Sequence, residues 1–123
     1  MAGIKHIEFW VSNLKKSLSF YEELFELIGW ERYHENGFHY STTKIYFLEK
    51  KVLFNENIGP RHICFEADSK EVLEKVSKFL IDQNADIIRG PIEYTYKGNS
   101  ALTIDFKDPD GYVIEVATRS INN

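Results

Sequence analysis

The stretch Asp108-Pro109-Asp110-Gly111-Tyr112-Val113-Ile114-Glu115 predicts a tight turn that leads into an apolar strand containing one carboxylate. Proline presets φ at the second turn position, Asp side chains hydrogen-bond back to the backbone, and glycine tolerates positive φ. The segment 112–118 is rich in β-branched residues, so we expect a strand in which Glu115 shares a face with Val113 and Ala117. A carboxylate there is costly unless it is paired, hydrogen-bonded or bound to a metal.

The bulk composition is that of one ordinary globular domain spanning residues 1–123. The chain is 43% hydrophobic and 28% charged, and it is long enough to bury a core without disulfides. A net charge of -4 with dispersed basic residues argues against binding to nucleic acid or a membrane and favours a small-molecule substrate. The single cysteine, Cys64, excludes an intrachain disulfide, and the N-terminus lacks an apolar signal-peptide core, so we expect a cytoplasmic protein.

The first half of the chain predicts the order strand, helix, strand, strand, strand. Residues 4–11 alternate between an apolar face and a face with His6, Glu8 and Trp10. An apolar stripe predicts a helix from Ser12 or Asn13 to Gly29. Asn36-Gly37 favours a two-residue hairpin turn that would place His34 opposite His39, and residues 42–49 predict a further strand.

The same order begins again after a turn-rich connection at residues 55–60. Residues 61–66 predict a strand with His62, Cys64 and Glu66 on one face. Asp68 followed by Glu71 predicts the start of a second helix, which ends near Asn84. Short strands are then expected near residues 87–88, 93–96 and 101–106, with a turn at 97–99, before the strand of Glu115.

A short internal repeat relates the two halves. His6-Ile7-Glu8-Phe9 matches His62-Ile63-Cys64-Phe65, and Tyr46-Phe47-Leu48-Glu49 matches Tyr112-Val113-Ile114-Glu115. If a pseudo-two-fold axis relates the halves, then four side chains converge: His6, Glu49, His62 and Glu115. Two imidazoles and two carboxylates suit a divalent metal such as Mn, Fe, Co, Ni or Zn, with room for water or substrate.

With these motifs the chain resembles the vicinal oxygen chelate superfamily, which includes glyoxalase I, fosfomycin-resistance proteins, extradiol dioxygenases and bleomycin-resistance proteins. The resemblance rests on residues 6–9, 16–21, 61–63 and 108–115 taken together. It implies an α+β fold of two βαβββ modules, about 1–57 and 58–123, whose curved mixed sheets surround a metal-binding cup with the helices on the outer face. It also implies a homodimer in which the site can be shared between chains.

The resemblance implies two possible ligand sets. Similarity to glyoxalase I gives His6, Glu49, His62 and Glu115, whereas similarity to the fosfomycin proteins and dioxygenases gives the same set without Glu49. In a glyoxalase-like reaction Glu115 is the catalytic residue, because it moves a proton through an enediolate-like intermediate of a small substrate with vicinal oxygens. The alternatives to this metal-dependent lyase or isomerase are a dioxygenase, a thiol transferase, and a metal-free binding protein of the bleomycin-resistance type.

The chain departs from the glyoxalase I pattern next to two of the proposed ligands, Glu49 and His62. Lys50-Lys51-Val52 follows Glu49, and Arg61 precedes His62, so the substrate and the use of glutathione or another thiol stay open. Two further acidic residues, Glu8 and Glu66, are expected on the same strand faces as His6 and His62, where they could act as bases or bind a cationic group. Cys64 reads as a small buried filler with a redox role left open.

Overall fold

A computed structural model of the protein describes residues 3–51, 62–96 and 98–118, and within them each half of the chain forms a four-stranded mixed sheet with one helix. The fold is α+β with two βαβββ modules, as predicted, and the chain divides into unit 1, Met1–Gly59, and unit 2, Pro60–Asn123. The predicted connection 55–60, Arg61 and Lys97 lie outside the described residues. No helix in the described part of the chain is long and apolar enough to cross a membrane.

Unit 1 contains β1 (His6–Val11), α1 (Leu14–Ile28), β2 (Glu31–Tyr33), β3 (Gly37–Tyr40) and β4 (Thr43–Glu49). The sheet order is β1-β4-β3-β2, with β1 parallel to β4 and the other pairs antiparallel. As predicted, Asn13 caps the helix by accepting from the Lys16 amide at 3.0 Å, and Gly29 ends it with φ of 94°. The apolar face of α1 packs on one face of the sheet, where the buried aromatic rings include Tyr21, Phe25, Phe38 and Phe47.

The hairpin between β2 and β3 differs from the prediction. Tyr33 pairs with Gly37 and Glu31 pairs with His39, so His34 is not opposite His39 and lies instead in a three-residue loop, 34–36. Asn36 is held to β4, because its backbone oxygen accepts from the Phe47 amide and its side-chain amide donates to the Phe47 carbonyl, both at 2.9 Å. These bonds make Asn36 part of the loop and Gly37 part of the strand.

Unit 2 contains β5 (Ile63–Ala67), α2 (Lys70–Asp82), β6 (Asp86–Tyr96), β7 (Asn99–Lys107) and β8 (Val113–Thr118). The sheet order is β5-β8-β7-β6, with β5 parallel to β8. The helix begins one residue later than predicted, because Ser69, and not Asp68, is the N-cap that accepts from the Val72 amide at 3.2 Å. The two short strands expected at 87–88 and 93–96 are one strand with two register shifts around Gly90.

The turn before β8 forms as predicted. Asp108 accepts hydrogen bonds through Oδ1 from the amides of Asp110 and Tyr112, at 2.9 and 2.8 Å, and Gly111 adopts φ of 91°. The Asp108 side chain is buried, so its carboxylate replaces water as the acceptor for these amides. The turn thereby fixes where β8 starts and which face of the sheet Glu115 occupies.

Candidate metal centre

The unit 2 sheet carries a row of polar side chains on the face opposite α2. The strand registers align Cys64 with Glu115, Glu115 with Asp105, and Asp105 with Arg89, so the row crosses all four strands. The alternate residues Ile104, Phe106, Ile114 and Val116 are buried on the helix side. The alternation of side chains along β7 and β8 therefore gives the sheet one apolar face toward α2 and one polar face opposite it.

Glu115 lies between an imidazole and a hydroxyl. The His62 Nε2 and Glu115 Oε1 atoms are 3.2 Å apart, and the Thr103 hydroxyl donates to Glu115 Oε2 at 2.6 Å. Thr103 is only 3% exposed, which holds the hydroxyl in place beneath the carboxylate. One carboxylate oxygen is thus fixed by the sheet, and the other faces His62.

Cys64 borders the same carboxylate. Burial of the thiol, followed by the charge of Glu115 and a hydrogen bond with it, raises the pKa of Cys64 to about 12, and Asp105 and Glu66 act in the same direction. The thiol is only partly buried and Cys64 as a residue is exposed, so the expectation of a buried filler is wrong. A thiol with this pKa is protonated at neutral pH and is a poor nucleophile, which argues against a redox role in the metal-free protein.

Asp105, the second carboxylate of the row, is engaged by Arg89. The Arg89 guanidinium contacts Asp105 Oδ2 through Nη2 at 2.8 Å and through Nε at 3.1 Å. Sequence reasoning missed Thr103, Asp105 and Arg89. Thr103 and Asp105 could have been found, because they alternate with Ile104 and Phe106 in a segment already predicted to be a strand, which gives them the parity of Glu115 once β7 and β8 pair.

In unit 1, His6 is exposed at the start of β1 and aligns with Lys44 of β4. Its ring contacts the Tyr46 ring edge-on, with the centroids 5.9 Å apart. On the same face Glu8 aligns with Tyr46. His6 therefore lies on the sheet face opposite the core residues Phe9 and Val11, as the alternation predicts.

The repeat match between residues 46–49 and 112–115 is wrong by three positions. Glu8 pairs with Tyr46 in unit 1 and Cys64 pairs with Glu115 in unit 2, so the counterpart of Glu115 is Tyr46. A shift by an odd number reverses the face, and Glu49 lies on the helix side of its sheet. There its Oε1 accepts from the Leu14 amide at 2.9 Å, in the first turn of α1. Metal binding by Glu49 stays a prediction, without the repeat to support it.

The His62–Glu115 pair fits one divalent ion. Zinc binds imidazole nitrogen at about 2.0–2.1 Å and carboxylate oxygen at about 2.0–2.2 Å, so two such ligand atoms lie roughly 3.0 Å apart in octahedral geometry and roughly 3.4 Å apart in tetrahedral geometry. The observed 3.2 Å falls between these values, and it is also the length of a direct hydrogen bond between the two side chains in the absence of a metal. Within each unit, no group of three His, Cys, Asp or Glu side chains among the described residues could hold a metal.

Comparison with known proteins identifies both the sequence family and the fold. The profile of the Glyoxalase/Bleomycin resistance protein/Dioxygenase superfamily matches residues 3–116. The metallothiol transferase FosB of Bacillus licheniformis is 31% identical over 123 residues, covering 97% of this chain and 77% of that protein. Virulence protein STM3117 of Salmonella typhimurium is 26% identical, covering 93% of this chain and 82% of that protein. The crystal structure of a glyoxalase/bleomycin resistance protein from Albidiferax ferrireducens superimposes with a TM-score of 0.73 at 17% identity, covering 94% of this chain and 98% of that one.

Proposed function

Because the chain belongs to the Glyoxalase/Bleomycin resistance protein/Dioxygenase superfamily, we propose that it is a divalent-metal-dependent enzyme whose metal is held by His6, His62 and Glu115. The observation that carries this proposal is the 3.2 Å approach of His62 Nε2 to Glu115 Oε1. The hydrogen bond from Thr103 supports it further, since ligating carboxylates are themselves usually held by a hydrogen bond from the protein. The metal is one of Ni, Co, Zn, Mn and Fe.

The proposed set has three protein ligands, and Glu49 is left out of it. Tyr46 occupies the position that corresponds to Glu115, and the Glu49 carboxylate is used at the start of α1. Three ligands leave coordination positions for the oxygens of a substrate. The four-ligand set of glyoxalase I would need Glu49 to leave the Leu14 amide and reach the other face of its sheet.

We favour transfer of a thiol to a small electrophile that carries neighbouring oxygens. When bound, the metal would supply a Lewis acid that polarises the substrate oxygens. The sulfur forms a bond to carbon, one carbon–oxygen bond breaks, and the thiol proton ends on the released oxygen. Thr103 and His62 engage both oxygens of Glu115, which suits a fixed ligand better than a mobile proton carrier. The metallothiol transferase at 31% identity supports the same choice.

The second candidate is the isomerisation of a hemithioacetal, as in glyoxalase I. Here a carboxylate moves a proton between adjacent carbons. Glu115 is the residue predicted for this role, and Glu8 and Glu66 favour this candidate too, because they are exposed on the same sheet faces as His6 and His62. A base that is separate from the metal ligands would leave Glu115 fixed during the reaction.

Purification without chelators, followed by metal analysis and two assays, tests the proposal. We expect about one equivalent of metal per chain and its loss in His62→Ala. The metal-loaded protein is then given small thiols with epoxides, and separately methylglyoxal with the same thiols. Thioether formation supports transfer, and 2-hydroxyacyl thioester formation supports isomerisation. Oxygen uptake by the iron-loaded protein would indicate a dioxygenase instead. Absence of metal, with no effect of His62→Ala, would favour a metal-free binding protein and contradict the proposal.

We further propose a homodimer in which His6 of one chain completes the site of the other. Mixing two inactive variants tests this arrangement directly. If sites are shared, refolding His6→Ala together with His62→Ala yields mixed dimers with one intact ligand set, and part of the metal binding returns. If each site lies within one chain, every set in the mixture lacks a ligand and nothing returns. His6→Ala alone, refolded in the same way, is the control.

A further inference from the structure

Lys44 places an ammonium group on the His6 face of unit 1, and no described residue gives it a carboxylate partner. Its Nζ lies 3.4 Å from the Tyr33 hydroxyl oxygen and 4.5 Å from the centre of the Tyr33 ring. No carboxylate of the described residues lies within ion-pair distance of Lys44, whereas Lys78 and Lys107 each have one. Lys44 is also half-buried, so part of its hydration is lost without an opposite charge to replace it.

Two aromatic rings contact Tyr33 beside this ammonium group. The Tyr33 and Tyr46 rings meet edge-on above Gly37, with the centroids 6.2 Å apart. A Cβ at Gly37 would lie 2.8 Å from the Tyr33 backbone oxygen and 2.9 Å from Tyr46 Cδ1, so glycine avoids both close contacts. The His39 ring contacts Tyr33 from the side, at 5.9 Å between centroids. Tyr33 itself is exposed at the surface, so its hydroxyl is accessible to an anion from solvent.

We propose that Lys44 and Tyr33 form an oxyanion-binding subsite for a carboxylate, phosphate or phosphonate group of the substrate. Lys44 donates to the Tyr33 oxygen, which leaves the phenol O–H and the other ammonium hydrogens as donors for an anion. Lys44 pairs directly with His6 in the register, so a bound anion would lie beside the proposed metal ligand. The subsite stands on unit 1 contacts alone, and only its link to catalysis rests on the proposed function.

The neighbouring carboxylates do not neutralise the subsite. Glu31 aligns with His39 and Glu8 aligns with Tyr46, which places both on the same face, yet neither forms an ion pair with Lys44. Lys50 offers a contrast on the same sheet. Its Nζ also contacts a ring, that of Trp10 at 3.5 Å, but Lys50 is exposed and follows the end of β4. Water and salt screen such a charge, which makes Lys50 the matched control for Lys44.

Titration of the isotope-labelled protein with inorganic phosphate, and separately with acetate, at constant ionic strength tests this subsite by NMR. We expect saturable shifts of the backbone amides of Tyr33, His39, Lys44 and Tyr46. Lys44→Gln removes the charge that attracts the anion, so it should weaken binding about tenfold or more. Tyr33→Phe should weaken it less, and Lys50→Gln should leave it unchanged. Stronger binding of phosphate than of acetate would indicate that the subsite binds a phosphate-like group of the substrate. Stronger binding of acetate would indicate a carboxylate.

Two outcomes would overturn the subsite: shifts that do not saturate, or equal binding by Lys44→Gln and Lys50→Gln. Its failure is distinguishable from failure of the proposed function. His62→Ala removes the proposed metal ligand in unit 2, so it should abolish metal binding while leaving the phosphate or acetate titration unchanged. Lys44→Gln should do the opposite, and retained dispersion of the amide resonances shows that each variant is folded.

Discussion

Equivalent rows of the two sheets carry opposite chemistry. In unit 2 the row runs Cys64, Glu115, Asp105 and Arg89, and in unit 1 the corresponding row runs Glu8, Tyr46, Gly37 and Tyr33. The first row holds a hydrogen-bonded carboxylate next to an ion pair, whereas the second holds two rings that meet over a glycine. The same backbone pattern thus supports a face with charged side chains in one unit and an aromatic face in the other.

The difference between the two rows shows that the internal repeat does not give the two units similar sites. His6 begins β1 and His62 directly precedes β5, but among the described residues only His62 has a carboxylate within ion-pair distance. The proposed division of work follows: unit 2 would supply the metal pair, and unit 1 would supply one imidazole and the surface that recognises the substrate. Substitutions at equivalent positions can break or sharpen this comparison.

The largest expected effect is that of Glu115→Gln, compared with Tyr46→Phe at the equivalent position. The amide can still accept from Thr103, but it has no charge for the metal. Outer-shell partners alone contribute about 10–100-fold to metal affinity, so loss of this ligand should cost more than about 100-fold. Tyr46→Phe should leave the affinity unchanged. Calorimetric titration with Zn²⁺ or Co²⁺ measures both, and equal losses in the two variants would contradict the asymmetry between the units.

Alkylation of Cys64 measures the electrostatics of the unit 2 row. Burial and the adjacent carboxylates raise the pKa of the thiol to about 12, so little thiolate exists at pH 8. After allowing for the higher reactivity of a more basic thiolate, we expect iodoacetamide to react roughly 100-fold more slowly with the metal-free folded protein than with the protein in denaturant.

The pH dependence separates electrostatics from simple shielding of Cys64. The folded protein's rate should still rise about tenfold per pH unit at pH 10, whereas the unfolded protein's rate should level off above about pH 9. Glu115→Gln removes a negative charge that disfavours the thiolate, so it should lower the pKa and raise the rate at pH 8. A folded-state rate that levels off at pH 9 would show that the thiol does not experience these charges.

Thr103→Val removes the hydrogen bond to Glu115 while keeping the shape of the side chain. Thr103 is buried and donates at 2.6 Å, so its loss leaves Glu115 Oε2 without the donor that orients it. We expect metal affinity to fall about tenfold, with restoration in Thr103→Ser, because a partner of a ligating carboxylate contributes about 10–100-fold. A merely structural role would lower stability without this rescue. Unchanged affinity in Thr103→Val would show that the orientation of Glu115 does not depend on the hydroxyl.

Much of the fold could be predicted from the sequence because local signals agree with it. Asn13, Gly29 and the turn at 108–111 act through their own backbone neighbours, and the structure confirms each of them. The site was harder to predict. The alternation of side chains along a strand gives the face of β8 that carries Glu115, but it cannot tell which residues of other strands lie beside Glu115. Thr103 and Arg89 reach the site only through the register of β6, β7 and β8. The match of Glu49 to Glu115 was wrong for the same reason, because it compared the last residues of two strands without knowing which face of the sheet each residue occupies.

Glu49→Ala gives the smallest effect and separates the two carboxylates that the repeat had equated. Glu49 accepts from the Leu14 amide at the start of α1, where a negative charge also suits the helix dipole. Loss of this capping contact should lower the free energy of unfolding by about 1 kcal/mol, which urea denaturation can measure. Metal affinity should not change, because the side chain lies on the helix side of its sheet. Glu23→Ala, on the exposed surface of the same helix and away from its last turn, is the control for loss of one negative charge. A fall in metal affinity in Glu49→Ala alone would restore the four-ligand site and with it the closer analogy to glyoxalase I.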